Sequence, residues 1–287
     1  MLNPYVEVGK PPSTRFSVVA LLDVLGFAER MRQSYRDGGA AGLLIDFRSA
    51  LDSAYENFRN TDLERVIGAE KASKVLDCWH VKAFTDNIVI GFPVHPSEPD
   101  AEAEMGSVLL ALREYQLEMV IRGFFVRGSV SIGDLYMDDE IVFGDALLTA
   151  YEAEQTVARD PRIVISASAR SYVKRHFGFY AEPASAPHNE VLLKDADGQL
   201  FVNYLGATYD ESPESPDWGR LASHKAAVEK ELTRFKENPP IWSKYAWVAN
   251  YHNFICQEQG GNFVKHRIGA ELLRAGPERL STSWALS

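Results

Sequence analysis

The amino-acid sequence predicts an α+β protein whose sheet is mainly antiparallel. Paired apolar runs joined by turn residues, typical of β-hairpins, occur at residues 75–94, 126–144 and 190–206. Segments with helical spacing of apolar residues separate these hairpins, and a single apolar strand precedes them. The order is therefore strand, helices, hairpin, helix, hairpin, helix, strand, helix, hairpin. Because hairpins supply antiparallel neighbours, this order favours α+β over a parallel α/β arrangement.

The first elements are one strand and two helices. The run RFSVVALLDVLGF, residues 15–27, is apolar and ends in a glycine-containing turn, which predicts the first strand. Helical periodicity follows over residues 28–60 and is interrupted at Gly38-Gly39. Two consecutive glycines favour a break, so we expect two helices here instead of one long helix.

The middle of the chain alternates between turn signals and apolar periodicity. Asp, Asn and Gly pairs mark the hairpin turns, and a Pro- and acid-rich stretch before an apolar repeat marks a helix start. We expect, in order, a hairpin turning at Asp86-Asn87, a helix from about Asp100 to about Gly123, a hairpin turning at Asp138-Asp139, a helix over 145–160, a strand over 161–166, a helix over 167–178 and a hairpin turning at Asp197-Gly198.

The composition changes near residue 208. Residues 208–217, TYDESPESPD, are typical of a linker, and two helical patterns separated by Pro239-Pro240 follow. The first has an apolar face, and the second has an aromatic stripe that should pack against the domain or a sister subunit. The apolar face consists of Trp218, Leu221, Val228, Leu232 and Phe235, and the stripe of Trp242, Tyr245, Trp247, Tyr251 and Phe254. We therefore divide the chain into an N-terminal segment 1–13, a main domain 14–207 and a helical extension 208–287.

Charge and composition exclude several classes of protein. The chain of 287 residues has 40 acidic and 30 basic residues and a net charge of −10, which argues against a groove that binds nucleic acid. It has neither a signal-like N-terminus nor 18 consecutive apolar residues, so we expect a protein that is not exported and does not contact a membrane. Cys78 and Cys256 have no metal-ligand spacing and suggest no disulfide framework. These features fit the cytoplasm.

Two Asp residues stand inside otherwise apolar strand patterns. Asp23 lies in LLDVLGF and Asp86 in AFTDNIVIGF. A buried carboxylate is unfavourable unless it is paired, hydrogen-bonded or bound to a metal. One Asp at a strand end is most often a turn or cap residue, but two in comparable settings favour a common site.

Other polar residues have structural interpretations. Asp145 follows Gly144 at a predicted helix start and is expected to be an N-cap. His80 and His176 lack partners at metal-ligand spacing, so we expect them to be packing residues.

Four segments, in order, resemble the class III nucleotidyl cyclases. LLDVLGF is similar to that family's Asp-Ile-x-Gly-Phe strand and turn, and KAFTDN to the hairpin with its second metal-binding Asp. VRGSVSIGD is similar to its Arg-x-Gly-Ile-x-x-Gly strand, and VFGDALLTAYEAE to its Trp-Gly-Asp-x-Val-Asn-x-Ala helix start. The resemblance covers residues 14 to 206 and implies a palm-like, ferredoxin-like domain.

The resemblance also implies a site for a nucleoside triphosphate. Cyclisation by two divalent ions, Mn²⁺ or Mg²⁺, about 4 Å apart requires two converging carboxylates. By resemblance these are Asp23 and Asp86, with the Val24 carbonyl completing one coordination sphere. Arg127 would bind the triphosphate, since a guanidinium matches phosphate oxygens. The remaining phosphate contacts would be the backbone amides of Leu25, Gly26 and Phe27 at a helix N-terminus.

Departures from the family pattern bear on the substrate. Lys82 falls on the position of the base-reading Lys, but Ile141 replaces the base-reading Asp. Leu148 and Glu152 occupy the positions of the Asn and Arg that stabilise the transition state. These departures resemble the bacterial pyrimidine cyclases of antiphage defence, which make cyclic UMP or cyclic CMP and activate a separate effector. Lys82 is a pure donor that suits uracil carbonyls, so we expect UTP as the substrate.

The resemblance further implies a homodimer with two sites at its interface. Asp23, Asp86 and Arg127 would serve one site, while Lys82 and Ile141 of the same chain line the base end of the other. Two alternatives remain open. One is a purine cyclase for ATP or GTP, and the other is a degenerate cyclase domain that binds nucleotide without turnover, as the residues at positions 148 and 152 suggest.

Overall fold

A computed structural model describes residues 3–7, 9–60, 79–97, 100–209 and 216–273 of the chain. These residues form a mixture of helices and a mostly antiparallel sheet, which confirms the predicted class. The strands are β1 (Arg15–Val24), β2 (His80–Phe84), β3 (Asn87–Pro93), β4 (Val126–Met137), β5 (Val142–Phe143), β6 (Ile163–Ile165), β7 (Leu192–Lys194) and β8 (Leu200–Val202). The helices are α1 (Phe27–Arg36), α2 (Ala40–Asn60), α3 (Glu102–Ile121), α4 (Asp145–Val157), α5 (Ala167–Phe177), α6 (His188–Val191), α7 (Trp218–Arg234) and α8 (Pro239–Gln259).

The sheet places β1 in a central position. The strand order is β2-β3-β1-β4-β6-β8-β7, with β5 paired to β4. β1 runs antiparallel to both β3 and β4, and the pairing of β4 with β6 is parallel. Asp23, near the end of β1, is therefore flanked by both neighbouring strands. It lies opposite Asn87 of β3 on one side and opposite Arg127 of β4 on the other.

Alternate residues of β1 face two different layers. Val18, Ala20 and Leu22 are fully buried in the main core, which also contains apolar residues of α2, α3 and α5. Val19 belongs to a smaller cluster on the opposite face that includes Ala146 of α4. Successive side chains of a strand point to opposite faces, so Asp23 shares the face of Val19 and of α4.

Helix α4 lies very close to β4. The hydroxyl groups of Ser129 and Ser131 donate to the carbonyls of Ala150 and Ala146, each at 2.6 Å. A Cβ added at Gly133 would lie 3.0 Å from Oδ1 of Asp145. The sequence R-G-S-V-S-I-G therefore supplies small and hydrogen-bonding side chains on the face that the helix covers.

Asp145 does not have its predicted role. Gly144 is the N-cap residue of α4, and no side chain caps this end. Instead, Oδ1 of Asp145 accepts a hydrogen bond from the backbone N–H of Asp134 at 2.8 Å. The prediction of an N-cap is wrong because a tertiary contact with β4 takes up the carboxylate.

The predicted local breaks agree with the structure, with one shift. Gly38-Gly39 separates α1 from α2 as expected, and the hairpin of Asp86 turns at Thr85-Asp86, one residue earlier than predicted. Asn87 is the first residue of β3 and not a turn residue. The beginning of the predicted hairpin, residues 75–78 with Cys78, lies outside the described residues.

Two helices form the end of the described chain. Pro239 and Pro240 are the first residues of α8, where a missing N–H is tolerated, so they begin this helix and do not merely end the previous one. Of the aromatic stripe, Tyr245 and Tyr251 are buried, while Phe254 is exposed. Residues 210–215 of the predicted linker and 274–287 of the extension lie outside the described residues.

Contacts divide the chain into the units Met1–His224 and Lys225–Ser287. This division falls inside α7, later than the predicted boundary between residues 207 and 208. Within the described ranges, no helix has the length and apolar character needed to cross a membrane.

Candidate functional site

The pairing of β1 with β4 brings Asp23 and Arg127 together. The two residues lie directly opposite each other in the antiparallel register. Nε of Arg127 donates to Oδ2 of Asp23 at 2.8 Å. The Asp23 side chain is 18 % exposed and the Arg127 side chain is 23 % exposed. Asp23 therefore has the partner that a carboxylate in an apolar strand requires. Its position near the C-terminal end of the central strand leaves it partly exposed to solvent.

Glu154 of α4 is a third member of this group. One oxygen of its carboxylate, Oε1, lies 2.8 Å from Nη2 of Arg127, and only 4 % of its side chain is exposed. The other oxygen accepts a hydrogen bond from Nε2 of Gln155 at 2.6 Å. One guanidinium thus joins two carboxylates. We call the group Asp23, Arg127 and Glu154, in this order, the charge chain.

Glu154 was not among the residues predicted for the site. A signal was present, because Ala146, Ala150 and Glu154 recur every four residues and share one face of the helix. All three are buried. A glutamate on the buried face of a helix needs a cationic partner, and in the structure that partner is Arg127.

Asp86 lies at the same end of the sheet as Asp23. The backbone N–H of Val24 donates to the Asp86 carbonyl at 3.2 Å, which ties the β2–β3 turn to the end of β1. Thr85 has a positive φ of 56° and donates through its hydroxyl to Oδ1 of Asp86 at 2.8 Å. The half-buried Asp86 carboxylate therefore has a defined local partner and one oxygen without a contact to any described residue.

The turn after β1 leads directly into α1. Gly26 is the N-cap of this helix and has a φ of 69°, a left-handed conformation that glycine adopts without strain. Phe27 is buried against Phe47 and Phe124, which anchors the first turn. Since Gly26 has no side chain to cap the helix, the first amides of α1 remain available for an anion.

Leu25 does not fit the predicted set of phosphate contacts. Its backbone N–H donates to the carbonyl of Phe125 at 2.8 Å. An amide that already has this partner is not available to a phosphate, so Leu25 is removed from the set. Among the described residues, the N–H groups of Gly26 and Phe27 have no acceptor, so these two amides are available to an anion, and their role in phosphate binding stays a prediction.

Lys82 and Ile141, the residues expected at the base end, meet at Asp138. Nζ of Lys82 donates to the Asp138 carbonyl at 3.1 Å, and the Ile141 N–H donates to Oδ1 of Asp138 at 2.8 Å. The Glu140 N–H and the Tyr136 hydroxyl also donate to this carboxylate at 2.8 Å. These hydrogen bonds, that of Ile141 first, hold the pKa of the Asp138 carboxyl below its ordinary value. Asp138 thus fixes the turn that presents the exposed Ile141.

Leu148 and Glu152 lie on the other face of α4 from Glu154. Both are exposed, and Leu148 is 64 % exposed. The two positions that the resemblance assigns to the stabilisation of the transition state are therefore exposed.

The predicted structural histidines have packing contacts. His176 is buried, with its two ring nitrogens 2.7 Å from the Asp100 carbonyl and 3.2 Å from Nε2 of His188. Nε2 of His80 lies 3.3 Å from Nδ2 of Asn3, and burial lowers the pKa of His80. These contacts are compatible with the predicted structural role, which stays a prediction.

The donor atoms near Asp23 suit a hard divalent cation. Mg²⁺ and Mn²⁺ prefer carboxylate and carbonyl oxygens, and Asp23, the Val24 carbonyl and the Asp86 turn, which is hydrogen-bonded to Val24, supply these at one end of the sheet. Arg127 contacts only Oδ2 of Asp23, and Oδ1 is left without a partner in the described part of the chain. No group of three or more His, Cys, Asp or Glu side chains with metal-binding geometry occurs in that part. A metal would therefore rely on two carboxylates, a backbone oxygen and substrate oxygens.

Comparison with known proteins adds no relative: no protein-family model matches the sequence, and no curated protein matches it significantly.

Proposed function

We propose that the protein is a metal-dependent nucleotidyl cyclase that converts UTP into 3′,5′-cyclic UMP and pyrophosphate. The proposal rests on Asp23, which pairs with Arg127 at the open end of the central strand and lies beside the hairpin of Asp86. The four sequence segments that resemble class III cyclases contribute Asp23, Asp86, Arg127 and helix α4.

The topology of the first four strands supports a palm-like domain. β1, β2, β3 and β4 follow one another with helices after β1 and after β3. Their spatial order is β2-β3-β1-β4, with every neighbouring pair antiparallel. This is the arrangement of a β-α-β-β-α-β, ferredoxin-like unit, to which palm domains belong. A fold alone does not define a reaction, so the proposed activity depends on the side chains of the site.

The reaction needs negative charge to be neutralised at one phosphorus atom. The ribose 3′-oxygen forms a bond to the α-phosphorus, the bond to the bridging oxygen of the β-phosphate breaks, and pyrophosphate leaves with the electron pair. The proton of the 3′-hydroxyl passes to solvent. Divalent ions would lower the energy of both the attacking and the leaving oxygen.

Each residue of the site has a role that its contacts permit. Asp23 and Asp86 would hold the ions through the oxygens that have no described partner. Arg127 uses Nε and Nη2 for the two carboxylates, and since a guanidinium has five N–H donors, Nη1 remains for a phosphate oxygen. The amides of Gly26 and Phe27 would bind the phosphates at the start of α1.

A homodimer fits the apolar surface on β5 and α4. Phe143 is 66 % exposed and Leu148 64 % exposed, and Ile141 and Tyr151 are exposed beside them in the chain. Exposed apolar groups of this kind are typical of association surfaces. In such a dimer, Lys82 and Ile141 of one chain would line the base end of the site that Asp23 of the other chain supplies.

The base preference follows from the hydrogen-bonding groups at that end. Lys82 uses one of its three N–H donors for Asp138 and keeps two for the carbonyl oxygens of uracil. Ile141 offers no acceptor to the amine of adenine. Ile141, Leu148 and Glu152 depart from the purine cyclases in a way that resembles the pyrimidine cyclases of antiphage defence. The product would accordingly be a second messenger that activates a separate effector, and the enzyme would act in the cytoplasm.

One observation favours a second function. Leu148 and Glu152 cannot stabilise a phosphorane-like transition state, and their exposed positions allow a purely nucleotide-binding, degenerate domain.

Product analysis distinguishes the alternatives. The purified protein is incubated with each of the four ribonucleoside triphosphates and Mn²⁺, and the products are identified by mass spectrometry. Cyclic UMP as the main product is the expected result. Cyclic AMP or cyclic GMP would show a purine cyclase, and binding without any cyclic product would show the degenerate domain.

A further inference from the structure

Glu154 holds Arg127 from the side opposite to solvent. The side chains of Asp23 and Arg127 are 18 % and 23 % exposed, whereas that of Glu154 is only 4 % exposed. Glu154 therefore lies too deep to contact a nucleotide. Any effect that it has on the site must pass through the guanidinium.

The position of Glu154 is fixed by the docking of α4. Ser129 and Ser131 bond to the carbonyls of Ala150 and Ala146, one and two helical turns before Glu154 on the same face. The hydrogen bond from Gln155 orients the second oxygen of the Glu154 carboxylate. The helix thus delivers a buried negative charge to one place beside the end of β4.

This charge alters how Arg127 acts on Asp23. A guanidinium that neutralises two carboxylates leaves net negative charge in the group, and that charge favours a divalent cation at Asp23. Without the charge of Glu154, Arg127 would be free to neutralise Asp23 alone. Glu154 also keeps Nη2 engaged while Asp23 engages Nε, which leaves Nη1 on the remaining side of the fork.

We propose that Glu154 is a positioning residue that fixes Arg127 against Asp23 and thereby sets the affinity of the site for a divalent cation and a nucleoside triphosphate. The inference rests on the proposed function, since it concerns the same site. It adds a residue of the chain that touches neither substrate nor metal.

The test compares Glu154→Gln with Glu154→Asp. Glutamine keeps the size of the side chain and loses its charge, whereas aspartate keeps the charge and loses one methylene of packing. Binding of Mn²⁺ alone is followed by electron paramagnetic resonance, and the KM and kcat for UTP are measured separately. Thermal melting reports the fold.

Glu154→Gln should raise the Kd for Mn²⁺ roughly 10-fold, the lower end of the range for groups behind a metal ligand. It should also raise the KM for UTP. Glu154→Asp should bind Mn²⁺ more tightly than Glu154→Gln, although its packing is worse. Glu182→Gln removes an exposed charge at a position distant from Glu154 in the sequence. It is the control for net charge and should leave the Kd for Mn²⁺ unchanged.

The opposite order would overturn the inference, because a packing role predicts that glutamine is tolerated and aspartate is not. An unchanged Kd for Mn²⁺ in a folded Glu154→Gln protein would also overturn it. Should Glu154→Gln not fold, Arg127→Lys takes its place: a lysine cannot bridge both carboxylates as a fork, so the Kd for Mn²⁺ alone, which does not depend on the phosphate contact of Arg127, must rise, and an unchanged Kd contradicts the inference. A wild-type protein that binds neither Mn²⁺ nor any nucleotide would refute the proposed function instead.

Discussion

At the scale of single residues, Arg127 has two neighbours with opposite exposure. Asp23 can be solvated if the guanidinium is lost, but Glu154 cannot, since it is buried behind Arg127. A partner removed from a buried ion pair leaves an uncompensated charge in a medium of low dielectric constant. Arg127 therefore contributes to stability as well as to the proposed binding of phosphate.

The variant Arg127→Ala should lose about 3 kcal/mol of unfolding free energy, the low end of the range for broken buried pairs. Urea denaturation measures this loss. The double variant Arg127→Ala/Glu154→Gln should recover most of it, because the remaining glutamine is neutral. The double variant is thus the suitable protein in which to measure the weaker binding of UTP. Equal stability of Arg127→Ala and wild type would contradict this account of the charge chain.

A second residue-scale prediction concerns base choice. Ile141→Asp places an acceptor where the family's purine cyclases have one, so the ratio of kcat/KM for ATP to that for UTP should rise about 10-fold or more. Ile141→Leu keeps the apolar character and should leave the ratio unchanged. Steady-state kinetics with both nucleotides measure the ratio. A ratio that stays constant in Ile141→Asp would remove Ile141 from the base end of the site.

At the scale of secondary-structure elements, the strand ends were predictable and the helix–sheet contact was not. The apolar run before Asp23 and the turn residues around Asp86 are local signals, and the structure has both Asp residues at the expected ends. Helix α4 contacts the sheet through Ala146 and Ala150, which recur with Glu154 every four residues, but two alanines are too weak a signal to show which face of the helix is buried. The burial of Glu154 and the role of Asp145 depend on that tertiary contact.

The amide of Leu25 shows the same limit of sequence patterns. Its place in a turn before a helix predicted an unpaired N–H, yet Phe125 just ahead of β4 accepts from it. Residues about 100 positions apart in the sequence come together only through the β1–β4 pairing. The pattern around residue 25 contains no information about that partner.

One element-scale prediction concerns pH and helix α8. Burial lowers the pKa of His252 from 6.5 to about 4, and its Nε2 lies 3.0 Å from the His266 carbonyl. As the pH falls, His252 takes up a proton in the unfolded chain before it does so in the folded protein. The stability that neutral His252 contributes is therefore present above pH 6.5 and is lost as the pH falls towards 4. The loss amounts to about 3 kcal/mol by pH 4.

Thermal or urea unfolding of wild type and His252→Gln between pH 7 and pH 4 checks this prediction. Glutamine cannot take up the proton and can still donate to the carbonyl, so the variant should lose less stability over that interval. Identical pH profiles of the two proteins would exclude His252 as the titrating group.

At the scale of the whole molecule, the proposed dimer divides each site between two chains. In this dimer, the exposed apolar side chains on β5 and α4, Phe143, Leu148 and Tyr151, would supply the association surface beside the base end. Lys82 on β2 and Asp86 in the turn that follows belong to one hairpin, yet the proposal assigns them to different sites.

Complementation tests this division. Inactive Asp86→Asn chains and inactive Lys82→Ala chains are mixed after mild dissociation, and cyclic UMP formation is followed. About half of the randomly formed dimers are mixed, and each of these has one intact site, so activity should return. If demonstrably mixed dimers regained no activity, metal and base residues would belong to a single chain.

The most direct test of the central claim is cyclic UMP formation by the carboxylate variants. Asp23→Asn and Asp86→Asn each remove a charge from the proposed metal site, so the rate with UTP and Mn²⁺ should fall at least about 100-fold, while thermal melting shows that the fold is kept. Asp52→Asn, which changes an exposed carboxylate on α2, should keep the wild-type rate. Wild-type protein should release one pyrophosphate for each cyclic UMP. Near-full turnover by either site variant would contradict the assignment of Asp23 and Asp86 as metal-binding residues.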